Sequence, residues 1–84
     1  MTYSVGIKAS AVKALQRIAA PDRRRLIEAI DRLAREPHAG GVLKGEFAGL
    51  RRLRVGPYRI VYEIQRRELT VLVVRIGHRR DVYR

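Results

Sequence analysis

The chain has 84 residues, a net charge of +11 and no cysteine, which fits one small domain and excludes disulfides and thiolate metal sites. No apolar run approaches the ~20 residues of a membrane span, and the first residues do not resemble a signal peptide, so we expect a cytoplasmic location and no membrane partner. The positive charge favours a polyanionic partner, either nucleic acid or an acidic protein.

The first elements predicted along the chain are a strand and a helix. Tyr3, Val5 and Ile7 alternate with small or polar residues, which is typical of a short edge strand. Ser10 is a suitable cap for a helix that extends through Ala19. Apolar residues recur along this helix at helical spacing and form one stripe.

A second helix and a loop are predicted next. Pro21 suits the first turn of a helix that ends near Arg35. The glycine-rich residues 38–49 do not match a phosphate-loop spacing and predict a flexible loop. The basic run Arg23–Arg25 is interpreted as a solvated helix face or, alternatively, as a partner-binding surface. The apolar stripe of the second helix comprises Leu26, Ile27, Ile30, Leu33 and Ala34.

A β-hairpin follows, and its register can be counted from its turn. Gly56-Pro57 suits a two-residue turn, because glycine tolerates a positive φ and proline is allowed at the next position. Alternation along the two strands then separates apolar side chains from arginines. The turn predicts three cross-strand pairs: Val55 with Tyr58, Arg54 with Arg59, and Leu53 with Ile60.

A third strand is expected over residues 69–76 after a three-residue loop at 66–68. That loop length would direct Leu72, Val74 and Ile76 towards the core. It would also place Arg75 opposite Arg59, so that Arg54, Arg59 and Arg75 lie abreast on three strands, with Arg79 continuing the row.

A row of arginines on one sheet face calls for a physical reason. Like charges directly opposite one another in a sheet destabilise it by up to about 1 kcal/mol. An anion bound to this face would remove that penalty. The alternative is a solvated face on which the arginines splay apart and Glu63 neutralises one of them.

The chemistry available to this face is stabilisation of a phosphate. Convergent arginines can stabilise a pentacovalent phosphorane, which fits metal-free RNA cleavage by attack of a 2′-OH on the adjacent phosphate. Such cleavage also uses a base and an acid, and arginine stays protonated. His78 and Tyr83 are the candidates for proton transfer, with edge or packing roles as alternatives, and His38 is a weaker candidate. No metal site and no cofactor are expected.

Two segments, LKGEFAGLRRLRVGPYRIVYEI (43–64) and VVRIGHRRDVYR (73–84), resemble the RelE/ParE toxin superfamily of bacterial type II toxin–antitoxin systems. The N-terminal YSVGIKASAVKAL and the REP of 35–37 also fit this pattern. The resemblance implies one domain over residues 1–84 with an α+β fold. Two N-terminal helices would pack on one face of a small, mainly antiparallel twisted sheet.

The resemblance also implies a choice of activities. RelE-like members are ribosome-dependent, metal-independent mRNA endonucleases that cut in the ribosomal A site and inhibit translation. We favour this hypothesis for the present chain. ParE-like members inhibit DNA gyrase. A non-catalytic basic module that binds nucleic acid or an antitoxin is a further alternative. The toxin readings imply a cognate antitoxin and a hetero-oligomeric complex.

The RelE pattern assigns roles to individual residues. It implies that Arg59 stabilises the transition-state phosphate, that Arg79 contacts the phosphate and assists the leaving group, and that Tyr83 positions the reacting nucleotide. RelE members carry two lysines on the first of these strands, where this chain has Arg52 and, at the other position, Leu50 or Arg51, so the base is unassigned. Further RNA contacts are expected at Lys44, Arg51, Arg52, Arg54, Arg75, His78 and Arg80.

Overall fold

The computed structural model describes residues 2–84, which form two helices and one five-stranded sheet. The strand order is β1-β5-β4-β3-β2, with β1 parallel to β5 and the other pairs antiparallel. The expected α+β fold is therefore confirmed. The elements are β1 (Ser4–Ile7), α1 (Ala9–Arg17), α2 (Asp22–Arg35), β2 (Gly41–Val42), β3 (Arg51–Val55), β4 (Tyr58–Gln65) and β5 (Thr70–His78), with 3₁₀ turns at Pro37–Ala39 and Gly45–Phe47.

The core lies between the two helices and one face of the sheet. Its buried residues are Ala11 and Leu15 of α1, Leu26, Ile30 and Leu33 of α2, and Leu53, Ile60, Tyr62, Val71, Val73 and Ile76 of the sheet. Neither helix of the described chain is long and apolar enough to cross a membrane.

Three details of the predicted helices are wrong, the first being the end of α1, which lies at Arg17 instead of Ala19. Helix α1 begins at Ala9, and Lys8 takes the capping position, its carbonyl accepting from the amide of Val12, so Ser10 is not the cap. In α2, Ile27 is 44 % exposed. It lies outside the buried stripe because Leu26, Ile30 and Leu33 already fill the helical face that meets the sheet.

The β3–β4 hairpin has the predicted register. Val55 pairs with Tyr58, Arg54 with Arg59 and Leu53 with Ile60. Gly56 has a φ of 58°, the left-handed conformation that the turn requires. This short turn fixes which side chains of β3 and β4 face the helices and which face away.

Replacing Gly56 with alanine is expected to destabilise the protein by about 1 kcal/mol, because a Cβ at positive φ crowds the neighbouring carbonyl. Gly41→Ala is the matched control, since Gly41 lies outside the left-handed region and has open space around its Cα. The free energy of unfolding in urea measures both changes. Equal losses in the two variants would show that the turn imposes no conformational requirement.

The β4–β5 connection differs from the prediction in two ways. Gln65 pairs with Thr70, so the loop has four residues and ends at Leu69, which takes a φ of 48°. A bulge then leaves Val74 without a partner, as Tyr62 pairs with Val73 and Val61 with Arg75.

Each of these irregularities shifts the register by one residue and reverses the faces of β5. Before the bulge, Val71 and Val73 are buried in the core, so the prediction for Leu72 and Val74 is wrong. After the bulge the original parity returns and Ile76 points into the core as predicted. Arg75 consequently lies opposite Val61 instead of Arg59.

The glycine-rich connector is more ordered than the predicted flexible loop, because the buried Tyr62 holds one end of it. The Tyr62 hydroxyl donates to the carbonyl of Pro37 at 2.7 Å and accepts from the amide of Gly40 at 3.0 Å. A Cβ on Gly40 would lie 2.5 Å from the carbonyl oxygen of Arg52, so only glycine fits. The connector therefore reaches β3 closely enough to add the two-residue strand β2.

Candidate functional site

The face of the sheet that points away from the helices carries a cluster of arginines. Arg52 and Arg54 alternate with the core residue Leu53 on β3, and Arg59 lies directly opposite Arg54. Arg79 follows β5, where its amide donates to the carbonyl of Pro57 at 2.8 Å and joins this segment to the β3–β4 turn. We call Arg52, Arg54, Arg59, Arg79 and Tyr83 the arginine site.

Arg59 is half-buried at the centre of this site. Its Nη1 donates to the carbonyls of Tyr58 at 2.8 Å and Gly56 at 3.0 Å. These are the only hydrogen bonds that its side chain makes within residues 2–84, so Nε and Nη2 can donate to an anion. The turn thus fixes one edge of the guanidinium and leaves the other for a ligand.

The charges around Arg59 favour an anion. Burial lowers the pKa of Arg59, and the positive charges of Arg54, Arg52 and Arg79 lower it further, while Tyr83 acts in the opposite direction. The guanidinium nevertheless stays protonated at neutral pH, because arginine loses its proton only in strongly alkaline solution. A bound phosphate would therefore relieve repulsion among several positive charges.

A tight turn after β5 returns the C-terminal residues to this face. The amides of Asp81 and Val82 both donate to the carbonyl of His78, at 2.8 and 3.0 Å. Val82 is buried and packs against Gly77, the cross-strand partner of Arg59.

Tyr83 is held beside Arg59 by an aromatic neighbour. Its ring meets that of Phe47 edge-on, with centroids 5.4 Å apart and an interplanar angle of 64°. Its hydroxyl is buried and has no hydrogen-bond partner among the described residues. Packing, and not the hydroxyl, therefore holds the ring.

A groove of about 620 Å³ continues across this face from Phe47. Leu50, Leu72 and Val74 provide apolar lining, and Lys8, Arg75, Glu46 and Glu63 provide charges. The groove gives an extended ligand room beside the arginine site.

Arg75 does not join the predicted row of arginines. It faces Val61, and its Nη1 donates to the carbonyls of Val82 at 3.1 Å and Arg84 at 3.0 Å. The expected alignment of Arg54, Arg59 and Arg75 on three strands is wrong because the four-residue loop and the bulge in β5 each shift the register by one residue, which places Arg75 two residues further along β4 than predicted.

The other predicted RNA contacts lie around the site or on the opposite face. Arg51 lies on the helix side of the sheet, where Nη1 donates to the carbonyl of Gly40 at 2.8 Å. His78 also has core parity; its ring meets Tyr58 edge-on at 6.0 Å, and Nδ1 accepts from the amide of Arg80 at 3.3 Å. Lys44 and Arg80 are exposed.

Phe47 is the contact residue that sequence reasoning missed. It is the only phenylalanine in the chain, and it stands in a connector rich in glycine. A lone aromatic residue in such a segment indicates docking against a neighbouring element. The sequence therefore contained a signal that Phe47 packs against another element, but nothing in it identifies Tyr83 as the partner.

Comparison with known proteins agrees with the fold and the motifs. The family model for the ParE toxin of the type II toxin–antitoxin system parDE matches residues 5–83. Toxin RelG of Mycobacterium tuberculosis is 35 % identical over 86 residues, covering 100 % of this chain and 99 % of RelG.

Two solved structures show the same arrangement of helices and strands. The toxin–antitoxin complex RelBE2 of Mycobacterium tuberculosis contains a chain with 31 % identity and a TM-score of 0.87, over 96 % of this chain and 95 % of that one. The archaeal RelE–RelB complex of Pyrococcus horikoshii gives 33 % identity and a TM-score of 0.78, over 98 % and 100 % of the two chains. With the family match over nearly its whole length, the chain is a type II toxin and belongs to the RelE/ParE toxin superfamily.

Proposed function

We propose that this toxin is a ribosome-dependent, metal-independent mRNA endonuclease that inhibits translation. The observation that carries the proposal is the convergence of Arg52, Arg54, Arg59 and Arg79 with Tyr83 at one end of the sheet. Four cations with a half-buried guanidinium at their centre suit a phosphodiester, and an aromatic ring beside them suits a nucleobase.

The chemistry is an internal displacement at phosphorus. The 2′-oxygen of the RNA attacks the adjacent phosphate and loses its proton, and the bond from phosphorus to O5′ breaks as O5′ takes up a proton. The products are a 2′,3′-cyclic phosphate and a 5′-hydroxyl end. The phosphorane between them carries one more negative charge than the phosphodiester, and Arg59 would stabilise that charge through Nε and Nη2.

The remaining residues of the site orient the RNA. Arg79 would contact the same phosphate and stabilise the departing O5′, and Tyr83 would position the reacting nucleotide. Arg52 and Arg54 would bind the backbone beside it, since arginine donates in a planar fork that matches phosphate oxygens. Further backbone contacts are proposed at the exposed residues Lys44 and Arg80. Arg51 and His78, on the helix side of the sheet, and Arg75, whose Nη1 is bound to the C-terminal carbonyls, are not assigned to the RNA.

The site is better equipped to stabilise charge than to move protons. Arginine is a poor base, and His78 points to the helix side of the sheet. Glu63 shares the arginine face, but it lies four residues from Arg59 along β4, about 13 Å at strand spacing, and it accepts from Gln65 at 3.0 Å. We therefore infer that electrostatic stabilisation carries most of the rate.

A cognate antitoxin is proposed as the partner that silences the toxin in a hetero-oligomeric complex. RelBE2 and the archaeal RelE–RelB were both solved as toxin–antitoxin complexes. An acidic or amphipathic segment that covers the arginine site would neutralise part of the +11 charge. Action on ribosomes places the toxin in the cytoplasm.

Induction of the toxin in cells, followed by mapping of RNA 5′ ends, tests the proposal. We expect in-frame cuts in translated messages, with 5′-hydroxyl ends, and neither cuts nor growth arrest with the double variant Arg59→Ala/Arg79→Ala. The exposed loop variant Arg67→Ala, which loses the same kind of charge, controls for non-specific effects. The proposal would be refuted if the double variant no longer arrested growth but still produced the in-frame cuts.

Inhibition of DNA gyrase is the second candidate, because the family model that matches residues 5–83 is that of ParE toxins. Arginine at position 52, where RelE members carry lysine, also favours it. This activity predicts DNA-damage signalling and trapped gyrase complexes after induction. Cleaved mRNA with an undisturbed chromosome would reject it.

A further inference from the structure

We propose that Arg75 is a positioning residue that fixes Tyr83 in the arginine site. The proposal deepens the proposed function and rests on it for the role of Tyr83. Nη1 of Arg75 donates to the carbonyls of Val82 and Arg84, the residues on either side of Tyr83, at 3.1 and 3.0 Å. One nitrogen thus holds the backbone on both sides of the tyrosine.

Arg75 also restrains the tyrosine ring through Phe47. Its Cζ lies 5.3 Å from the centroid of the Phe47 ring, in the range of a cation–π contact. The same phenylalanine meets Tyr83 edge-on at 5.4 Å. Arg75, Phe47 and Tyr83 therefore form a continuous stack that restrains both the backbone and the ring of Tyr83.

Tyr83 itself offers no alternative anchor. Its hydroxyl is buried without a partner in residues 2–84, and an unsatisfied buried hydroxyl is a cost to the folded state. Within residues 81–84, the hydrogen bonds besides those of Arg75 are local: the amides of Asp81 and Val82 donate to the carbonyl of His78, and the amide of Arg84 donates to the carbonyl of Asp81. The long-range restraint on position 83 is supplied by Arg75 and its stack.

The bulge in β5 makes this arrangement possible. Because Val74 is left out of the ladder, Arg75 lies opposite the buried Val61, and its exposed side chain reaches the carbonyls of the returning C-terminal segment. Lysine would keep the charge but lacks the planar guanidinium that stacks on a ring while donating in its plane. Arg75→Lys is therefore a demanding test of geometry.

A double-mutant cycle separates positioning from direct RNA contact. Purified Arg75→Ala, Tyr83→Ala and the double variant are compared for cleavage of mRNA on programmed ribosomes, and in parallel for growth arrest. We expect Arg75→Ala to lower cleavage by about 10- to 100-fold, as displacement of a reacting group by about 1 Å does. We expect Arg75→Lys to restore little of the cleavage activity. The double variant should cleave at the same rate as Tyr83→Ala alone.

Additive losses in the cycle would overturn the proposal and make Arg75 an independent RNA contact. Arg67→Ala should leave activity unchanged. If the wild type arrests growth without cutting RNA, the proposed function is wrong. In that case the same double-mutant cycle, with growth arrest as its measurement, still decides whether Arg75 acts through Tyr83.

Hydrogen exchange provides a readout that is independent of activity. Exchange at the amides of residues 82–84 should quicken in Arg75→Ala, whereas exchange in the core strands should stay as in the wild type. Unchanged exchange at residues 82–84 would overturn the proposal, because it would show that Arg75 does not hold this segment.

Discussion

Arg59→Ala is expected to lower mRNA cleavage by about 100- to 1000-fold, the usual loss on removal of one preorganised donor to a developing oxyanion. Arg59 is the arginine whose free guanidinium edge is flanked by three other cations. Its loss also removes repulsion from Arg54, Arg52 and Arg79. The unfolding midpoint is therefore expected to stay level or to rise.

Single-turnover cleavage on programmed ribosomes, with thermal unfolding of the same preparations, measures both effects. Arg59→Lys tests geometry, because lysine retains the positive charge but not the planar fork; we expect partial recovery at most. Arg67→Ala is the control for loss of one surface charge. Full cleavage by Arg59→Ala would exclude transition-state stabilisation by this residue, and a fall in midpoint that parallels the loss of activity would indicate a structural role instead.

Tyr62→Phe is expected to cost about 2 to 4 kcal/mol of folding free energy, although it removes a single oxygen. Tyr62 is fully buried, and its hydroxyl joins the carbonyl of Pro37 to the amide of Gly40. Phenylalanine leaves both backbone groups buried and unpaired, each at about 1 to 3 kcal/mol. The β2 end of the connector should loosen together with the protein as a whole.

Urea unfolding of Tyr62→Phe against Tyr58→Phe provides the comparison. Tyr58 is half-buried, and its hydroxyl makes no hydrogen bond within residues 2–84. Removal of that hydroxyl should therefore change the free energy of unfolding by about 0.5 kcal/mol or less. Similar values for the two variants would mean that the Tyr62 hydroxyl bonds contribute no net stability.

The β3–β4 hairpin was predictable because its register depends on a local signal. Gly56 must supply the positive φ, and once the turn is fixed, alternation assigns every side chain of β3 and β4 to a face. The juxtaposition of Arg54 and Arg59 follows directly. The same register is the observation from which the phosphate-binding role of Arg59 is proposed.

The register of β5 was not predictable in this way. Residues 71–74 read VLVV, a continuous apolar run in which alternation is invisible. Leu69 adopts a positive φ, which a leucine in the sequence does not predict. The bulge at Val74 likewise lacks a glycine that would indicate it in the sequence. The position of Arg75, and with it the stack on Phe47 and Tyr83, depends on both irregularities.

Cleavage of an mRNA that carries a single 2′-deoxynucleotide at the cut position most directly tests the chemistry assigned to the arginine site. Wild-type toxin, purified ribosomes and two messages that differ only in this oxygen are sufficient. We expect the all-ribose message to be cut to a 2′,3′-cyclic phosphate and a 5′-hydroxyl end, and the deoxy message to remain intact at that bond. Equal cleavage of the two messages, or a failure to cut either, would contradict a site built to stabilise attack by the RNA's own 2′-oxygen.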